Sequence, residues 1–567
     1  MKILLVGINS KFIHSNLAIR YLYEYTSHKK NIELKEYTIN NSKDYILKEL
    51  YKQKADVICI STYIWNIEVI KEVIREYKKI NSTTKFILGG PEATYDYNNL
   101  LINENIDIVM RGEGEETFDE ICRYLIDGDL DISDIKGISY KENDEVLVNV
   151  DRDIMDMDKV PFVYKEGFEP FKNRIIYYET SRGCPYNCKY CLSSVEKKLR
   201  VKSLDIVFEE LKFFLDNNIK QVKLVDRTFN ADKKRAYQIW EFLIKNDNGI
   251  TNFHFEISAD IMNEDQIELL KKARVDLFQF EIGVQTTNKE VLDIINRKMK
   301  FEELSKVVKA VKDGNNIHQH LDLIAGLPGE DIESFRKSFN DVYNLEPEQL
   351  QLGFLKLIKG SGLSVDRDKH NLVARDKVPY EVLSSDKLSY EELLTLKLIE
   401  EMVESYYNTG RFYYSIKYIE SKYETPFDFY KYLGAYYADE GYEDVPVSKL
   451  GMYDILLNFA IRDNLEVEIL KELLKYDLLI SGKQNKLCEF MKAEKDKSLY
   501  RNETLRNEYL NGLNDKNITL EIFNINVEKY IEENVLERKK QIIIFNYDEK
   551  INLLGHHESI SVKGEIL

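Results

Sequence analysis

The sequence predicts an α/β chain in three successive parts: a doubly wound parallel sheet, a partial (β/α)6 barrel, and a mainly helical C-terminal region. Three observations predict it. Short apolar runs alternate with stretches of helical periodicity over residues 1–125. The same alternation restarts at residue 174 after a Pro-containing acidic stretch and persists to about residue 370. Beyond residue 371, long apolar-periodic segments rich in Tyr and Phe replace the strands. The expected boundaries are therefore 1–140, a linker over 141–173, a core over 174–370, and a C-terminal module over 371–567.

In the first part, "KILLVGI" (2–8), "IELKEYTI" (32–39), "DVICIST" (56–62), "KFILGG" (85–90) and "DIVMRGEGE" (107–115) read as strands. "NLAIRYLYEYTSH", "SKDYILKELYKQK" and "NIEVIKEVIREYKKI" read as the helices between them. Strand and helix at this pitch give a Rossmann-like sheet, whose ligands sit at the carboxyl ends of the strands. Those ends read "GINSKFIHSN", "STYIWN", "GGPEAT" and "RGEGEETF". Gly89, Gly90, Gly112 and Gly114 let the backbone approach a bulky ligand, and a helix opening near Glu115 offers free N–H groups. Residues 141–173 supply a short strand pair and Pro161. The barrel strands are "RIIYYETS" (174–181), "QVKLVD" (221–226), "FHFEIS" (253–258), "LFQFEIGVQ" (277–285), "HQHLDLIAG" (318–326) and "LQLGFLKL" (350–357). Six such units make three quarters of a TIM-like barrel, with its chemistry at the strand carboxyl ends.

Composition excludes several classes. A chain of 567 residues is too long for one hydrophobic core and implies roughly three or four domains. No apolar run is long enough for a membrane span, and the amino terminus has neither the apolar length nor the cleavage site of a signal peptide. A soluble cytoplasmic protein is expected. The net charge of -18 argues against nucleic acid as the default partner, since phosphate contacts need a basic surface. Six cysteines, three of them clustered, fit a metal site in a reducing compartment better than a disulfide framework.

The cluster lies in "TSRGCPYNCKYC" (180–191), at Cys184, Cys188 and Cys191. A structural zinc site closes with four protein ligands, and a disulfide would leave one thiol over. An iron–sulfur cubane held by three thiolates keeps one iron open to an outside ligand, which suits a cluster that does chemistry. C-x-x-x-C-x-x-C after the first strand of a partial barrel closely resembles the radical S-adenosylmethionine superfamily. That resemblance implies a 4Fe-4S cluster whose open iron is chelated by the methionine end of S-adenosylmethionine. It also implies one-electron cleavage to a 5′-deoxyadenosyl radical that abstracts hydrogen from substrate, the electron coming from an external flavodoxin or ferredoxin. Among members similar to coproporphyrinogen dehydrogenase, the same resemblance implies cosubstrate contacts at Tyr190, Asp226, Glu256, Gln285, Arg297 and Asp322. A carboxylate suits ribose hydroxyls, and an Arg suits a carboxylate.

"LGGPEAT" and "VMRGEGEETF" make the front part similar to the cobalamin-binding domain that precedes many radical S-adenosylmethionine proteins. This resemblance implies corrin contacts at Ser61, Tyr63, Trp65, Gly89, Gly90, Pro91, Gly112, Glu113, Gly114 and Glu115. The D-x-H-x-x-G loop of histidine-ligating carriers is only partly kept: "FIHSNL" retains His14 but has Phe12 and Leu17 where Asp and Gly would stand. His14 is therefore a candidate cobalt ligand with a competing reading as a helix cap or polar contact.

The function expected from these resemblances is methylation of an unactivated carbon of a small-molecule, lipid or peptide substrate. A cobalamin-assisted radical oxidoreductase or cyclisation without methyl transfer is the alternative. A methylthiolating tRNA enzyme would need a second cluster, and the front part holds only Cys59 and Cys122. His318 and His320 alternate on one strand face with Asp322 and are read as packed barrel histidines before proton carriers. His556 and His557 are expected at the surface, and Cys59, Cys122 and Cys488 as small buried hydrophobes. "RFYYSIKYIESKY" is expected in a helical core, and the C-terminal module over the open side of the barrel.

Overall fold

The computed structural model describes residues 1–443, 445–492, 499–510 and 513–563. Strands β1 (Ile3–Asn9), β2 (Ile32–Thr38), β3 (Val57–Ser61), β4 (Lys85–Gly89) and β5 (Ile108–Met110) run parallel in the order β2-β1-β3-β4-β5. Every residue of β1 and of β3 is buried, as unbroken apolar strands covered on both faces require. One face packs Leu4, Val6, Ile58 and Ile60 against Ile70 and Ile74. The other packs Ile3, Leu5, Val57 and Cys59 against Ile19 and Phe118.

Two details differ from expectation. Strands β6 (Ile138–Glu142) and β7 (Glu145–Val148) add an antiparallel hairpin to this sheet, which becomes seven-stranded and runs past residue 140 into the expected linker. The hairpin turns on Asn143 and Asp144, both at positive φ (49° and 65°), the backbone a two-residue hairpin of this kind needs. "DIVMRGEGE" is extended only at β5, because Gly112 at φ +75° turns the chain away from the sheet.

The second sheet contains β8 (Ile176–Tyr178), β9 (Gln221–Leu224), β10 (Asn252–Ile257), β11 (Phe278–Gln285), β12 (Ile317–Ala325) and β13 (Gln349–Phe354). All pair in parallel in the order β13-β12-β11-β10-β9-β8, a partial barrel left open between its first and last strands. Alternation sorts the side chains by face. Phe253, Phe255, Phe278 and Phe280 point outward into the helix layer and are fully buried. Lys223, His254, Glu256, Glu281, His320 and Asp322 share the opposite, inward face. Gln319 breaks the outward pattern, and its amide donates to the Val308 carbonyl at 3.0 Å.

The C-terminal region builds helices Tyr390–Met402, Tyr413–Glu420, Pro426–Asp439, Lys449–Arg462 and Val467–Ile480. They continue the barrel's apolar core. Tyr430 meets Phe339 of the last barrel helix edge-on at 6.0 Å, and Arg336 pairs with Asp428 at 2.6 Å. The Asn408 side chain donates to and accepts from the backbone of Leu350 at 2.9 Å each, covering a stretch of the free edge of β13. Residues 412–419 form the expected core, with Phe412, Ile416 and Ile419 buried. A three-stranded antiparallel sheet of Ile518–Phe523, Gln541–Lys550 and His557–Ser561 closes the chain. His556 is not at the surface: it is 1% exposed, with Nε2 2.8 Å from the Gly410 carbonyl oxygen, because the last turn folds back onto the helices. Cys59, Cys122 and Cys488 are buried.

Candidate active site

The cysteine loop leaves β8 through Thr180 and Ser181. Asp226, one turn beyond β9, receives the Thr180 N–H at 2.8 Å, the Thr180 hydroxyl at 2.5 Å and the Ser181 hydroxyl at 2.7 Å. Asp226 is 1% exposed and is not among the residues lining the cysteine cavity, and these three hydrogen bonds make it an anchor for the loop. Gly183 follows at φ +84°, and a Cβ there would collide with the Lys198 carbonyl oxygen. The Cys184 N–H donates to the Glu196 carbonyl at 3.0 Å, binding the loop to the segment beyond it. Cys184 and Cys188 are buried, Cys191 is partly exposed, and none of the three is in a disulfide.

These cysteines line a cavity of about 170 Å³ together with Tyr190, Glu256, Gln285, Arg297 and Asp322. Residues scattered from 184 to 322 thus converge on one hollow at the barrel mouth. Arg297 donates to the Tyr190 hydroxyl at 3.1 Å and to the Gly283 carbonyl, and its Nη1 stands 3.9 Å from the Cys188 sulfur. Gln285 sits at φ 72° beside a register shift in β11, a backbone that turns its side chain back over Gly283. Among the described residues no three or more His, Cys, Asp or Glu side chains converge on a single ion. A cubane spreads three thiolates over three irons, and three cysteines lining one hollow fit it.

The floor of the hollow is charged. Glu281 is held by Lys223 at 2.9 Å and faces His254 at 3.0 Å. Burial pushes its carboxyl up, but the His254 and Lys223 partners outweigh that and bring it to about 2. Glu256 lacks so strong a partner, and burial raises it to about 7 against the pull of Arg227. His320 lies 3.0 Å from Asp322; burial lowers its pKa, yet that carboxylate carries it above the ordinary histidine value. Burial, with His320 and His254 nearby, takes His318 to about 4, so it is neutral.

A second cavity, about 860 Å³, lies between the carboxyl ends of the first sheet and the barrel mouth. His14, Ser61, Tyr63, Trp65, Gly89, Gly90, Gly112, Glu113, Gly114 and Glu115 all border it, as do Tyr177, Glu179, Arg182 and Arg227 of the barrel. Pro91 does not; it occupies the first turn of the helix Pro91–Asn103, where its fixed φ suits it. Tyr63 and Trp65 stack at 4.4 Å and 5° into a flat aromatic step. Gly90 at φ +102° passes so close to Thr62 that no side chain fits. His14 borders this cavity and is held through Nδ1 by the Tyr177 hydroxyl at 2.6 Å; burial, with Lys11 and Lys223 nearby, lowers its pKa. The volume, the glycine-lined wall and the aromatic step fit a flat macrocycle. Arg227 and Ser193 border both cavities, so the two hollows adjoin.

Sequence reasoning missed the charged seam between these parts. Glu113 pairs with Arg182 at 3.0 Å and Arg200 at 2.8 Å, and Glu115 with Arg182 at 2.5 Å. Lys223, His254 and Arg227 were missed as well. Alternation placed Lys223 and His254 in otherwise apolar strands, a signal visible in the sequence; the ion pairs across the seam have none.

Comparison with known proteins defines the class. Residues 3–122 match the family described as "B12 binding domain", residues 178–342 the "Radical SAM superfamily", and residues 368–545 "Protein of unknown function (DUF4080)". The chain thus carries a radical S-adenosylmethionine domain behind a B12-binding domain, and these domains imply a 4Fe-4S cluster, S-adenosylmethionine and cobalamin. It is similar to an uncharacterized methyltransferase of Pyrococcus horikoshii, 29% identical over 54% of this chain and 68% of that protein. It is also similar to the cobalamin-dependent radical SAM methyltransferase TokK of Streptomyces tokunonensis, 24% identical over 50% of this chain but only 44% of that protein. The fold matches the cobalamin-dependent S-adenosylmethionine radical enzyme OxsB with a TM-score of 0.59 and 15% identity, covering 84% of this chain and 80% of that one.

Proposed function

We propose that this protein is a cobalamin-dependent radical methyltransferase acting on an unactivated carbon. The observation that supports the reading is that the cysteine hollow and the glycine-lined one adjoin, sharing Arg227 and Ser193 as wall residues. When bound, the cluster supplies the electron that cleaves S-adenosylmethionine to a 5′-deoxyadenosyl radical, and cobalamin supplies the methyl group. In this reading Cys184, Cys188 and Cys191 hold the cluster. Glu256 accepts ribose hydroxyls, Arg297 pairs with the methionine carboxylate, and Tyr190, Gln285 and Asp322 complete the cosubstrate pocket. The corrin lies against Ser61, Tyr63, Trp65 and the glycines 89, 90, 112 and 114. In this reading the inward polar residues of β9 to β12 receive the substrate.

The reading includes a cytoplasmic setting and an external flavodoxin or ferredoxin as reductant; no helix among the described residues is long and apolar enough to cross a membrane. Protein reconstituted anaerobically with iron, sulfide and cobalamin is expected to release 5′-deoxyadenosine on reduction, and C188A to release none. Formation of S-adenosylhomocysteine alongside, with the substrate found by comparing metabolites of cells with and without the gene, supports methyl transfer. Deoxyadenosine without S-adenosylhomocysteine on that substrate overturns it in favour of redox or ring-forming chemistry.

A further inference from the structure

We propose that Glu113 is a positioning residue that fixes the distance between the corrin-binding wall and the cysteine loop, and is not itself a corrin ligand. The proposal rests on the cofactor assignments above. Glu113 lies between Gly112 and Gly114, on the loop whose backbone borders the larger cavity. Its carboxylate turns toward the barrel. Oε1 meets Arg182 Nη1 at 3.0 Å and Arg200 Nη2 at 2.8 Å, while Oε2 meets Arg200 Nη1 at 3.2 Å and accepts the Met155 N–H at 2.7 Å. These contacts occupy both oxygens.

The two arginines reach Cys184 from opposite sides. Arg182 stands two residues before it and is gripped further by Glu115 at 2.5 Å and Glu179 at 3.0 Å. Arg200 grips the Glu196 carboxylate at 2.7 Å, and the Glu196 backbone carbonyl receives the Cys184 N–H at 3.0 Å. One carboxylate from the front sheet therefore ties down the chain before and after the first cluster cysteine. The side chains are 18%, 15% and 8% exposed for Glu113, Arg182 and Arg200, so the pairs are shielded from water and are stiffer than surface pairs. Gly112 at φ +75° has nothing within 4 Å of where a Cβ would stand, whereas Gly114 packs against Leu22 and Met110, so the carboxylate ties down the open side of the loop.

The test compares the parent protein with E113Q, R182Q, R182K and the double variant E113Q/R182Q, each reconstituted with cluster and cobalamin. Three quantities are measured: iron content, cobalamin affinity from visible absorbance, and the dipolar relaxation of cob(II)alamin by the reduced cluster in frozen solution. The dipolar interaction reports their separation and needs no substrate. E113Q is expected to bind cobalamin within about twofold of the parent, yet to show a separation longer or broader by about 1 Å or more, the scale at which catalytic geometry fails. The double variant should be no worse than either single one, and R182K should restore part of the parent distribution. E113Q that loses cobalamin affinity tenfold with an unchanged separation overturns the proposal and makes Glu113 a corrin contact. Unchanged values of both quantities in E113Q also overturn it. Absence of either spin signal in the parent protein refutes instead the cofactor reading beneath it.

Discussion

Replacing Asp226 separates an anchoring role from a ligand role. In D226A the Thr180 N–H and the hydroxyls of Thr180 and Ser181 lose one shared acceptor at 2.5 to 2.8 Å in a site that is 1% exposed. The hydroxyls can rotate toward other acceptors, but the backbone N–H cannot. Hydrogen bonds to a charged group contribute about 1.5–3 kcal/mol each, and an orphaned buried donor costs about 1–3 kcal/mol, so a local loss of about 3–5 kcal/mol is expected. That corresponds to at least about a hundredfold faster opening of this segment. Amide hydrogen exchange of a peptide spanning residues 178–183 measures it directly, without cofactors. D226N keeps one carbonyl acceptor for Thr180 and should recover part of the protection. Exchange in D226A within threefold of the parent, together with a tenfold weaker affinity for S-adenosylmethionine, would refute the anchoring role and restore Asp226 to the cosubstrate.

Three further outcomes follow from the geometry. G183A places a methyl group against the Lys198 carbonyl at a backbone with φ +84°, so iron content should fall severalfold while cobalamin affinity is retained. Glu256, raised to about 7 by burial, accepts ribose hydroxyls best when ionised; affinity for S-adenosylmethionine should therefore rise from pH 6 to pH 8, and E256Q should bind weakly with no such slope. Glu281 is depressed to about 2 in the folded chain, so its contribution to stability is fully present above the unfolded carboxyl value of about 4.3 and disappears as pH falls toward 2. Denaturant unfolding should thus show E281Q to be less stable than the parent at pH 6, with the difference shrinking on acidification below pH 4.

The parts of this molecule governed by local rules were legible beforehand. Outward Phe pairs such as Phe253 with Phe255 and Phe278 with Phe280 impose a period of two, and that alone identifies two barrel strands. Glycine at positions 89, 90, 112 and 114 and the cysteine spacing are equally local, and both sets border the expected hollows. What was not legible depended on partners distant in the chain. Asp226 occupies a ligand position by its place after a strand, but residues 46 and 45 positions earlier claim its oxygens. Glu113 and Glu115 border the larger cavity as expected, but their carboxylates are also engaged by one arginine, Arg182, 69 and 67 positions later. His556 lies in a polar segment whose burial is decided by a contact with Gly410, 146 residues away. The antiparallel hairpin was seen as a strand pair, but nothing in its own residues says which sheet it joins.

The division of faces in the barrel has a consequence for how such a scaffold changes over time. Because the apolar energy that holds the strands comes from Phe253, Phe255, Phe278, Phe280 and their neighbours beneath the outer helices, the lumen contributes little to cohesion. His318, which has no part in the Glu281 pairing, can therefore be exchanged with modest loss of stability, whereas Lys223 and His254 change together with Glu281. A lineage built this way is free to retune what its chamber accepts while the shell, the sulfur loop and the seam stay as they are.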